Sequence, residues 1–333
     1  MTPALVIAGR LSRDFILPLA GPPLLDAPGG SLLYAAAGAA VWTRDVGLLG
    51  RVGEDYPQVW LQALEQAGLD VRGVRVLPQP LEVRSFYAWL DAETVATDSP
   101  TAHFARRQLP FPKALLGYSP RPEEEAGYTI PPLTSPRPSD IPTDYRTAAA
   151  AHLCRLDVPS AARLLSTFQE SGVPLLTLAM PCLAAGSGWE ALRPLLYRLT
   201  AFLSPERSLR ALFVGQMDDL WAMLEAVASC QCALVVIWRE GGGQVLYDAA
   251  SRRRWEVPPY PARLRDPTGV GDAFCGGFLA GLHNTGDALQ AVLHGNISAS
   301  LTLEGSGVFY ALEALPGLAQ ARLEALRALA RPV

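Results

Sequence analysis

Lysine is almost absent from this chain. Of its 28 basic residues only Lys113 is a lysine, and it lies between Pro112 and Ala114. A Walker A loop needs a lysine between a glycine and a serine or threonine, because that lysine contacts the nucleotide phosphates. The sequence therefore excludes a P-loop enzyme.

Long apolar runs are also missing. No stretch reaches the roughly 18 consecutive apolar residues that a membrane-spanning helix needs. The segment Met1–Gly9 has no basic residue ahead of its apolar run, so it is typical of a first core strand and not of a signal peptide. The net charge of −4 does not indicate the basic surface of a nucleic-acid-binding protein. We expect a cytoplasmic protein with no membrane or nucleic-acid partner.

Cysteines and histidines are few and form no ligand pattern. The five cysteines are an odd number at scattered spacings, which does not indicate a disulfide framework. Cys230 and Cys232 lack the second pair that a zinc site needs, and the four histidines show no metal-ligand spacing. Half of the residues are hydrophobic, which is enough apolar material for a large core.

Short apolar runs alternate with segments of helical periodicity along most of the 333 residues. Strands separated by helices form right-handed βαβ units, so we expect one α/β domain with a largely parallel central sheet. The expected strands are 5–8, 46–49, 84–90, 150–153, 174–178, 201–203 and 233–238. The expected helices are 32–42, 58–67, 160–170, 190–199, 218–228, 273–282, 287–303 and 315–330.

One region interrupts this alternation. Residues 109–142 contain nine prolines, so the region is neither a helix nor a central strand. Its length indicates either an ordered insertion near the mouth of a substrate site or a mobile surface loop, and the sequence does not distinguish the two.

The most informative segment is Asp266–Phe274. Gly269 and Gly271 flank Val270, Asp272 follows, and an apolar stretch comes next. This pattern predicts a tight turn that leads into a helix, whose first amides and dipole bind phosphate or a developing anion. A carboxylate at such a site suits the removal of a proton from a hydroxyl beside a phosphoryl group. The alternative is that Asp272 only caps a helix and the glycines only form a turn.

The segment Asp266–Phe274 resembles the D-T/P-T-G-A/V-G-D-x-F motif of the ribokinase-like (PfkB) family of carbohydrate and nucleoside kinases. The resemblance implies a three-layer α/β sandwich with a small β lid, here near residues 10–20 and 80–92. It also implies that Asp272 is the catalytic base and that Gly269, Val270 and Gly271 form the anion hole. The implied reaction is ATP-dependent and requires Mg²⁺, and it transfers the γ-phosphoryl group to a hydroxyl of a sugar or nucleoside.

The same resemblance implies an acceptor site at the start of the chain. Asp14 and the turn Gly29-Gly30 correspond to family positions that hold acceptor hydroxyls. An ionised carboxylate can accept from two vicinal hydroxyls, and glycine lets a ligand approach the backbone. Ser31 stands where family members usually have asparagine, which leaves the substrate class open. The alternative for residues 28–31 is a turn with a serine N-cap.

On the nucleotide side, Asn296 and Gly307 are eleven residues apart, as in the family helix that lies beside the adenine. The resemblance makes Asn296 a nucleotide contact. It also implies a monovalent cation site beside the anion hole, formed by Asp266, Thr268 and Gly307.

Two segments depart from the family pattern. Glu206 stands at the asparagine of the Asn-x-x-Glu motif and Leu209 stands at its glutamate, so a carboxylate that organises Mg²⁺ is missing there. In the nucleotide-binding loop Gly242 fits the second glycine, whereas Arg239 replaces the first. Arg239 could pair with a phosphate or block the nucleotide.

These departures motivate an alternative function, a non-catalytic or regulatory sugar- or nucleoside-binding protein on a kinase fold. A nucleotide-dependent oxidoreductase is a weaker alternative, because Phe274 follows where the dinucleotide fingerprint needs a third glycine. Exposed lid strands can pair between subunits, so a homodimer is possible.

Overall fold

The computed structural model describes residues 2–120, 130–183, 188–239, 242–315 and 317–332. The strands are β1 Leu5–Ala8, β2 Ser12–Leu17, β3 Leu24–Gly29, β4 Val46–Gly53, β5 Leu69–Leu77, β6 Arg84–Trp89, β7 Val95–Ala96, β8 Ala150–Leu153, β9 Leu175–Ala179, β10 Ala201–Pro205, β11 Leu234–Trp238, β12 Gln244–Asp248, β13 Arg253–Val257 and β14 Arg331–Pro332. The α-helices are α1 Ser31–Ala40, α2 Gln58–Gln66, α3 Pro100–Arg106, α4 Val158–Glu170, α5 Gly188–Leu192, α6 Glu206–Leu212, α7 Leu220–Ala228, α8 Val270–Thr285, α9 Ala288–Leu303, α10 Val308–Leu312 and α11 Leu318–Arg327.

The central sheet has the strand order β14-β13-β12-β11-β10-β9-β8-β1-β4-β5. From β11 to β5 every neighbouring pair is parallel, and β12, β13 and β14 extend the sheet with antiparallel pairs. Buried apolar clusters between this sheet and the helices form the core. The expected α/β fold with a largely parallel central sheet is confirmed, and the carboxyl ends of β1, β8, β9, β10 and β11 lie along one edge.

A second, smaller sheet has the order β3-β2-β6-β7. Its apolar side packs with α3 around Phe15, Phe86, Phe104 and Leu115, all of which are buried. Phe86 therefore lies in the core of this sheet and does not face a ligand. We call these four strands the lid sheet.

The described parts of the proline-rich region are packed against the rest of the molecule. The Arg84 guanidinium donates to the carbonyl oxygens of Ala114 and Leu116, at 2.8 and 3.0 Å. Farther along, Asp140 forms a buried ion pair with Arg51. Residues 121–129 of the region lie outside the described residues.

Helices α1 and α8 are in direct backbone contact. A Cβ atom at Gly276 would lie 1.7 Å from the carbonyl oxygen of Ala35, and one at Gly38 would lie 2.1 Å from that of Ala273. Because only glycine lacks a Cβ, these two positions allow the helices to approach this closely. The contact fixes the start of α8 relative to the second half of α1.

Three helix expectations were wrong in their bounds. The expected helix 273–282 is longer, since α8 covers Val270–Thr285. The expected helix 190–199 is α-helical only to Leu192 and continues as a 3₁₀ turn over Arg193–Leu196, because Pro194 has no amide to donate. The expected helix 315–330 begins at Leu318 and ends at Arg327. None of the helices in the described ranges is both long enough and apolar enough to cross a membrane.

Candidate active site

The turn before α8 has the geometry of an anion-binding helix start. Gly269 caps the helix with a φ of 73°, a left-handed conformation that favours glycine. The Val270 amide donates to the Pro267 carbonyl oxygen at 3.3 Å. The amides of Gly269 and Gly271 have no acceptor among the residues that the structure describes. Two of the three predicted anion-hole amides can therefore bind a ligand oxygen.

Asp272 lies in the first turn of α8 and is half-buried. Its negative charge acts on two buried thiols, those of Cys154 and Cys275. Burial raises the pKa of each thiol well above its usual value, and the charge of Asp272 is the second largest cause. Because Cys154 directly follows β8, these interactions place the Asp272 carboxylate near the carboxyl edge of the central sheet.

Asp14 lies on β2 and is fully buried. The Ser12 hydroxyl donates to its Oδ1 at 2.5 Å, the Tyr34 hydroxyl donates to its Oδ2 at 3.4 Å, and the Gly30 amide donates as well. Burial raises the pKa of Asp14 to about 7 although these donors favour its charged form. Of these hydrogen bonds the long one from Tyr34 is the weakest, so an acceptor hydroxyl would displace it most readily.

The Gly29-Gly30 turn packs directly on the acceptor-site residues. A Cβ atom at Gly29 would lie 1.8 Å from Oδ2 of Asp14, and one at Gly30 would lie 2.4 Å from the carbonyl oxygen of Arg10. The sequence predicts that a ligand lies against the backbone of Gly29. In the structure the Asp14 carboxylate occupies that space. Ser31 begins α1, and its hydroxyl accepts a long bond of 3.4 Å from the Arg10 amide.

Tyr34 connects the acceptor residues to the anion hole. Its hydroxyl contacts Asp14, and its ring lies so close to Gly269 that a Cβ there would be 2.0 Å from the ring carbon Cγ. Burial and the charges of Asp14 and Asp266 raise the pKa of Tyr34 well above its usual value, so the hydroxyl remains a donor. Sequence analysis missed Tyr34, although its spacing of three residues from Ser31 places it in the first turn of α1.

Asp266 is buried and only partly satisfied. The Thr268 amide donates to its Oδ1 at 2.9 Å, and its Oδ2 has no hydrogen-bond partner within the described part of the chain. Burial raises the pKa of Asp266, while the side chains of Thr268 and Ser306 favour its charged form. Gly307 directly follows Ser306 and has a φ of 81°. The predicted cation residues Asp266, Thr268 and Gly307 are thus brought into one neighbourhood.

Trp89 connects the lid sheet to this neighbourhood. The indole nitrogen of Trp89, at the end of β6, donates to the Thr268 hydroxyl at 2.8 Å. Arg107 donates to the carbonyl oxygens of Pro18 and Trp89, which holds two lid segments together. Sequence analysis missed Trp89, because an aromatic residue on a half-buried strand resembles ordinary core.

The nucleotide-side residues meet at the ends of β10 and β11. Pro205 pairs with Trp238, so Glu206 and Arg239 follow side by side. Arg239 lies 3.8 Å from the Glu206 carboxylate and 3.2 Å from that of Glu256. Glu206 also accepts from Arg210 at 2.7 Å. The Glu206 carboxylate is therefore engaged by two arginines.

Trp238 links these residues to the anion hole, since a Cβ at Gly271 would lie 3.3 Å from its ring. Leu209, where the family pattern would supply a glutamate, is fully buried in the core. Across the described ranges, no group of three or more His, Cys, Asp or Glu side chains is arranged to hold a metal ion.

Asn296 and Gly242 have structural partners. The Asn296 amide nitrogen donates to Gln244 at 2.7 Å and to the Pro258 carbonyl oxygen at 2.9 Å, and its oxygen accepts from the Tyr260 amide. Gly242 has a φ of 94° and lies in the turn between β11 and β12. The Asn296 side chain thus holds the segment after β13, and a role in nucleotide binding through that segment stays a prediction.

Surface cavities lie elsewhere on the molecule. One of about 730 Å³ runs along β5 and residues 133–140, and one of about 620 Å³ lies near Trp189 and Tyr197. Neither is lined by Asp14 or Asp272. The acceptor residues Asp14 and Gly29 instead belong to the lid sheet itself, whose Trp89 also contacts Thr268.

The sequence of this chain is similar to those of known kinases. Residues 165–315 match the model of the pfkB family of carbohydrate kinases. A cytidine kinase of Thermococcus kodakarensis is 28% identical over 278 residues, which cover 83% of this chain and 87% of that protein.

Two solved structures share the fold. The fructokinase of Xylella fastidiosa with bound ATP superposes with a TM-score of 0.71 at 15% identity, over 97% of this chain and 99% of that one. The nucleoside kinase of Burkholderia thailandensis in complex with inosine has a TM-score of 0.68 at 19% identity, over 98% of this chain and 99% of that one. The family match and the similarity to the cytidine kinase support a carbohydrate or nucleoside kinase.

Proposed function

The resemblance to the ribokinase-like (PfkB) family is confirmed, and from it we propose that this protein is an ATP-dependent kinase with a sugar or nucleoside acceptor. The reaction transfers the γ-phosphoryl group of ATP to a hydroxyl of the acceptor. One observation carries the proposal: the Asp272 carboxylate lies in the first turn of α8, beside the amides of Gly269 and Gly271, which have no acceptor among the described residues.

Asp272 is the general base in this proposal. It takes the proton of the acceptor hydroxyl while the hydroxyl oxygen bonds to the γ-phosphorus and the bond to the β-phosphate oxygen breaks, which releases ADP. A positioned base contributes about 10²–10⁴-fold in rate. The amides of Gly269 and Gly271 and the dipole of α8 stabilise the charge on the phosphoryl oxygens, which is the main task of a protein in this reaction.

Asp14, Gly29, Gly30 and Ser31 form the acceptor side. The Asp14 carboxylate accepts acceptor hydroxyls in place of the long bond from Tyr34, and the glycines keep the backbone of β3 and α1 close to that carboxylate. The rigid contact between α1 and α8 then sets the distance from the acceptor hydroxyl to Asp272.

The nucleotide side depends on Arg239, with Asn296 and Gly242 shaping its surroundings. We propose that Arg239 leaves Glu206 and Glu256 to pair with a phosphate, because a guanidinium binds phosphate oxygens in a bidentate manner. Glu206 and Leu209 do not fit a role as Mg²⁺ ligands, since two arginines engage the first and the second is a core residue. Mg²⁺ would therefore enter with ATP, held mainly by phosphates and water.

Asp266 fits a monovalent cation. Its buried Oδ2 has no hydrogen-bond partner among the described residues. A cation bound beside the anion hole would coordinate this oxygen and satisfy it. Activation by K⁺ that disappears in Asp266→Asn would support this site, and K⁺ activation that persists in the variant would reject it.

The test of the proposed function is ATP-dependent phosphotransfer over a panel of sugars and nucleosides, with wild type compared with Asp272→Asn. We expect kcat of the variant to fall at least about 100-fold, with acceptor affinity retained. Asp287→Asn is the matched control, because Asp287 caps the next helix on the surface and asparagine also caps well. Equal rates in wild type and Asp272→Asn would reject Asp272 as the base.

A second candidate function is a non-catalytic sugar- or nucleoside-binding protein. The ion pair of Arg239 with Glu206 and the core position of Leu209 favour it. Thermal-shift measurements separate the two: a kinase is stabilised by Mg·ATP as well as by its acceptor, whereas a binding protein responds to the acceptor alone.

A further inference from the structure

Arg10 is a buried arginine at the acceptor side of the molecule. It lies between β1 and β2 with 8% of its surface exposed. Its carbonyl oxygen accepts from the Leu32 amide at 3.1 Å, and its amide faces the Ser31 hydroxyl at 3.4 Å. The backbone of Arg10 therefore packs against the start of α1, next to the residues proposed to bind the acceptor.

The Arg10 guanidinium lacks a counter-ion within the described residues. Its Nε is buried and makes no hydrogen bond, and its Nη2 contacts only the Cys182 sulfur, at 3.9 Å. A thiol sulfur is a weak acceptor. Burying a charge without an anionic partner is costly, so such a group is expected where a ligand supplies the opposite charge.

A second guanidinium approaches the same sulfur. Nε of Arg155, which follows β8, lies 3.3 Å from the Cys182 sulfur. Because Arg10 Nη2 and Arg155 Nε contact the same sulfur, the two guanidinium groups lie close to each other. Asp157 forms a bridge pair with Cys182, but its two oxygens accept from the Ser160 amide and the Ser135 hydroxyl. Two guanidinium groups therefore lie near the carboxyl ends of β8 and β9.

We infer that Arg10 is a specificity-determining residue and that the acceptor carries an anionic group, a carboxylate or a phosphate, which Arg10 binds together with Arg155. A planar guanidinium binds either group in a bidentate manner. The inference rests on the proposed kinase function and narrows its substrate class. It separates this protein from the similar cytidine kinase, whose named acceptor is uncharged.

Arg10 is assigned to the acceptor and not to the transferred phosphoryl group because of its neighbours. Its backbone contacts Gly30, Ser31 and Leu32, all on the acceptor side. The anion-hole turn lies on the other side of Tyr34, whose ring covers Gly269.

The test is equilibrium binding, by calorimetry without nucleotide, of matched acceptor pairs that differ in one charged group. Gluconate against glucitol tests a carboxylate, and fructose 6-phosphate against fructose tests a phosphate. We expect one anionic member to bind wild type at least about tenfold more tightly than its neutral partner. Arg10→Met should abolish this preference, and Arg10→Lys should keep part of it. Arg163→Met, a substitution on the exposed face of α4, should retain it in full.

Equal or tighter binding of both neutral members by wild type overturns the inference, and so does a preference that survives in Arg10→Met. If Arg10→Met does not fold, competition by inorganic phosphate for the anionic acceptor in wild type and in Arg10→Lys decides the question. Undiminished competition in the lysine variant counts against bidentate binding by Arg10.

Steady-state kinetics separate this inference from the proposed function. A rise in KM for the anionic acceptor alone in Arg10→Met supports the inference, whereas an equal fall in kcat for every acceptor places Arg10 on the transferred phosphoryl group and overturns it. If wild type shows no phosphotransfer but still prefers the anionic acceptor in binding, the proposed kinase function is rejected and the anion site is retained.

Discussion

The Tyr34 ring lies against Gly269, while the Tyr34 hydroxyl donates to Asp14 at 3.4 Å. One side chain thus contacts the residue that begins the anion-hole turn and the carboxylate of the acceptor side. Because the ring occupies the space where a Cβ of residue 269 would lie, the two halves of the site depend on a glycine at that position.

Gly269→Ala should therefore impair both stability and catalysis. Alanine at a φ of 73° costs about 1 kcal/mol, and displacement of the Tyr34 ring should bring the loss to about 2–4 kcal/mol. We expect kcat/KM to fall along with it. Chemical denaturation and steady-state kinetics measure the two effects.

Gly286→Ala is the matched control for that substitution. Gly286 ends the same helix with a φ of 65°, but a Cβ there would meet nothing within 4 Å. We expect a loss of about 1 kcal/mol with unchanged kinetics. Equal losses in both variants would show that the Tyr34 contact contributes nothing.

Acceptor binding should depend on pH through Asp14. Burial raises the pKa of Asp14 to about 7, and only the ionised carboxylate accepts two hydroxyls. We expect kcat/KM for the acceptor to rise with pH and to level off above about pH 7. A profile that is flat between pH 5 and 8 would contradict a binding role for the Asp14 carboxylate.

The same pKa predicts an effect of Asp14 on stability. Between the unfolded pKa of about 3.9 and the folded value of about 7, the folded state binds more protons than the unfolded state. The contribution of Asp14 to stability is therefore lost as the pH rises through 7. Asp14→Asn should be more stable than wild type at pH 8 by a few kcal/mol while losing acceptor binding, which urea denaturation would measure.

His152 should act in the opposite direction on acid stability. It is fully buried between β8 and β9, with Nδ1 2.8 Å from the Thr177 hydroxyl and Nε2 without a partner among the described residues. Burial lowers the pKa of His152 to about 3, so below about pH 6.5 the unfolded state binds more protons. The free energy of unfolding should fall by up to about 1.4 kcal/mol per pH unit from there towards pH 3.

His152→Asn tests this prediction, because asparagine can keep a hydrogen bond to Thr177 but does not titrate. Urea denaturation of both proteins at several pH values between 4 and 7 gives the two slopes. The difference between them isolates His152 from other titrating groups, including Asp14. Identical slopes would mean that His152 takes up its proton in the folded protein as readily as in the unfolded chain.

Arg239 decides whether the altered nucleotide loop still binds ATP. If Arg239 pairs with a phosphate, Arg239→Gln should raise KM for ATP about tenfold and leave KM for the acceptor unchanged. Arg253→Gln, on the exposed end of β13, is the control and should change neither constant. A lower KM for ATP in Arg239→Gln would mean that the arginine obstructs the nucleotide.

Much of the fold could be predicted from the sequence, because the central strands are short continuous apolar runs. Both β1 and β8 have the predicted bounds. β5 and β13 were missed, since each mixes charged and apolar residues without strict alternation, and pairing with a neighbouring strand determines their structure. β3 was missed because Pro28 and Asp26 are untypical of strands.

The sequence predicted which residues form the candidate site but not the contacts between them. The Asp266–Phe274 motif identified the turn and the carboxylate, because that chemistry requires glycine and aspartate at fixed spacing. Three features depend on residues far apart in the chain: the burial of Asp14 against Gly29, the internal partners of Asn296, and the lack of a counter-ion at Arg10 among the described residues. No local pattern records such contacts.

The interlocked glycines of α1 and α8 have a consequence for how this molecule moves. Neither Gly38 nor Gly276 leaves room for one helix to slide along the other, so α1 and α8, which carry Ser31 and Asp272, move as a single block. Admission of a substrate must then come from bending where the chain crosses into the small sheet, near residues 9–12 and 77–84. The hinge, and not the catalytic block, is where differences in opening rate between variants should arise.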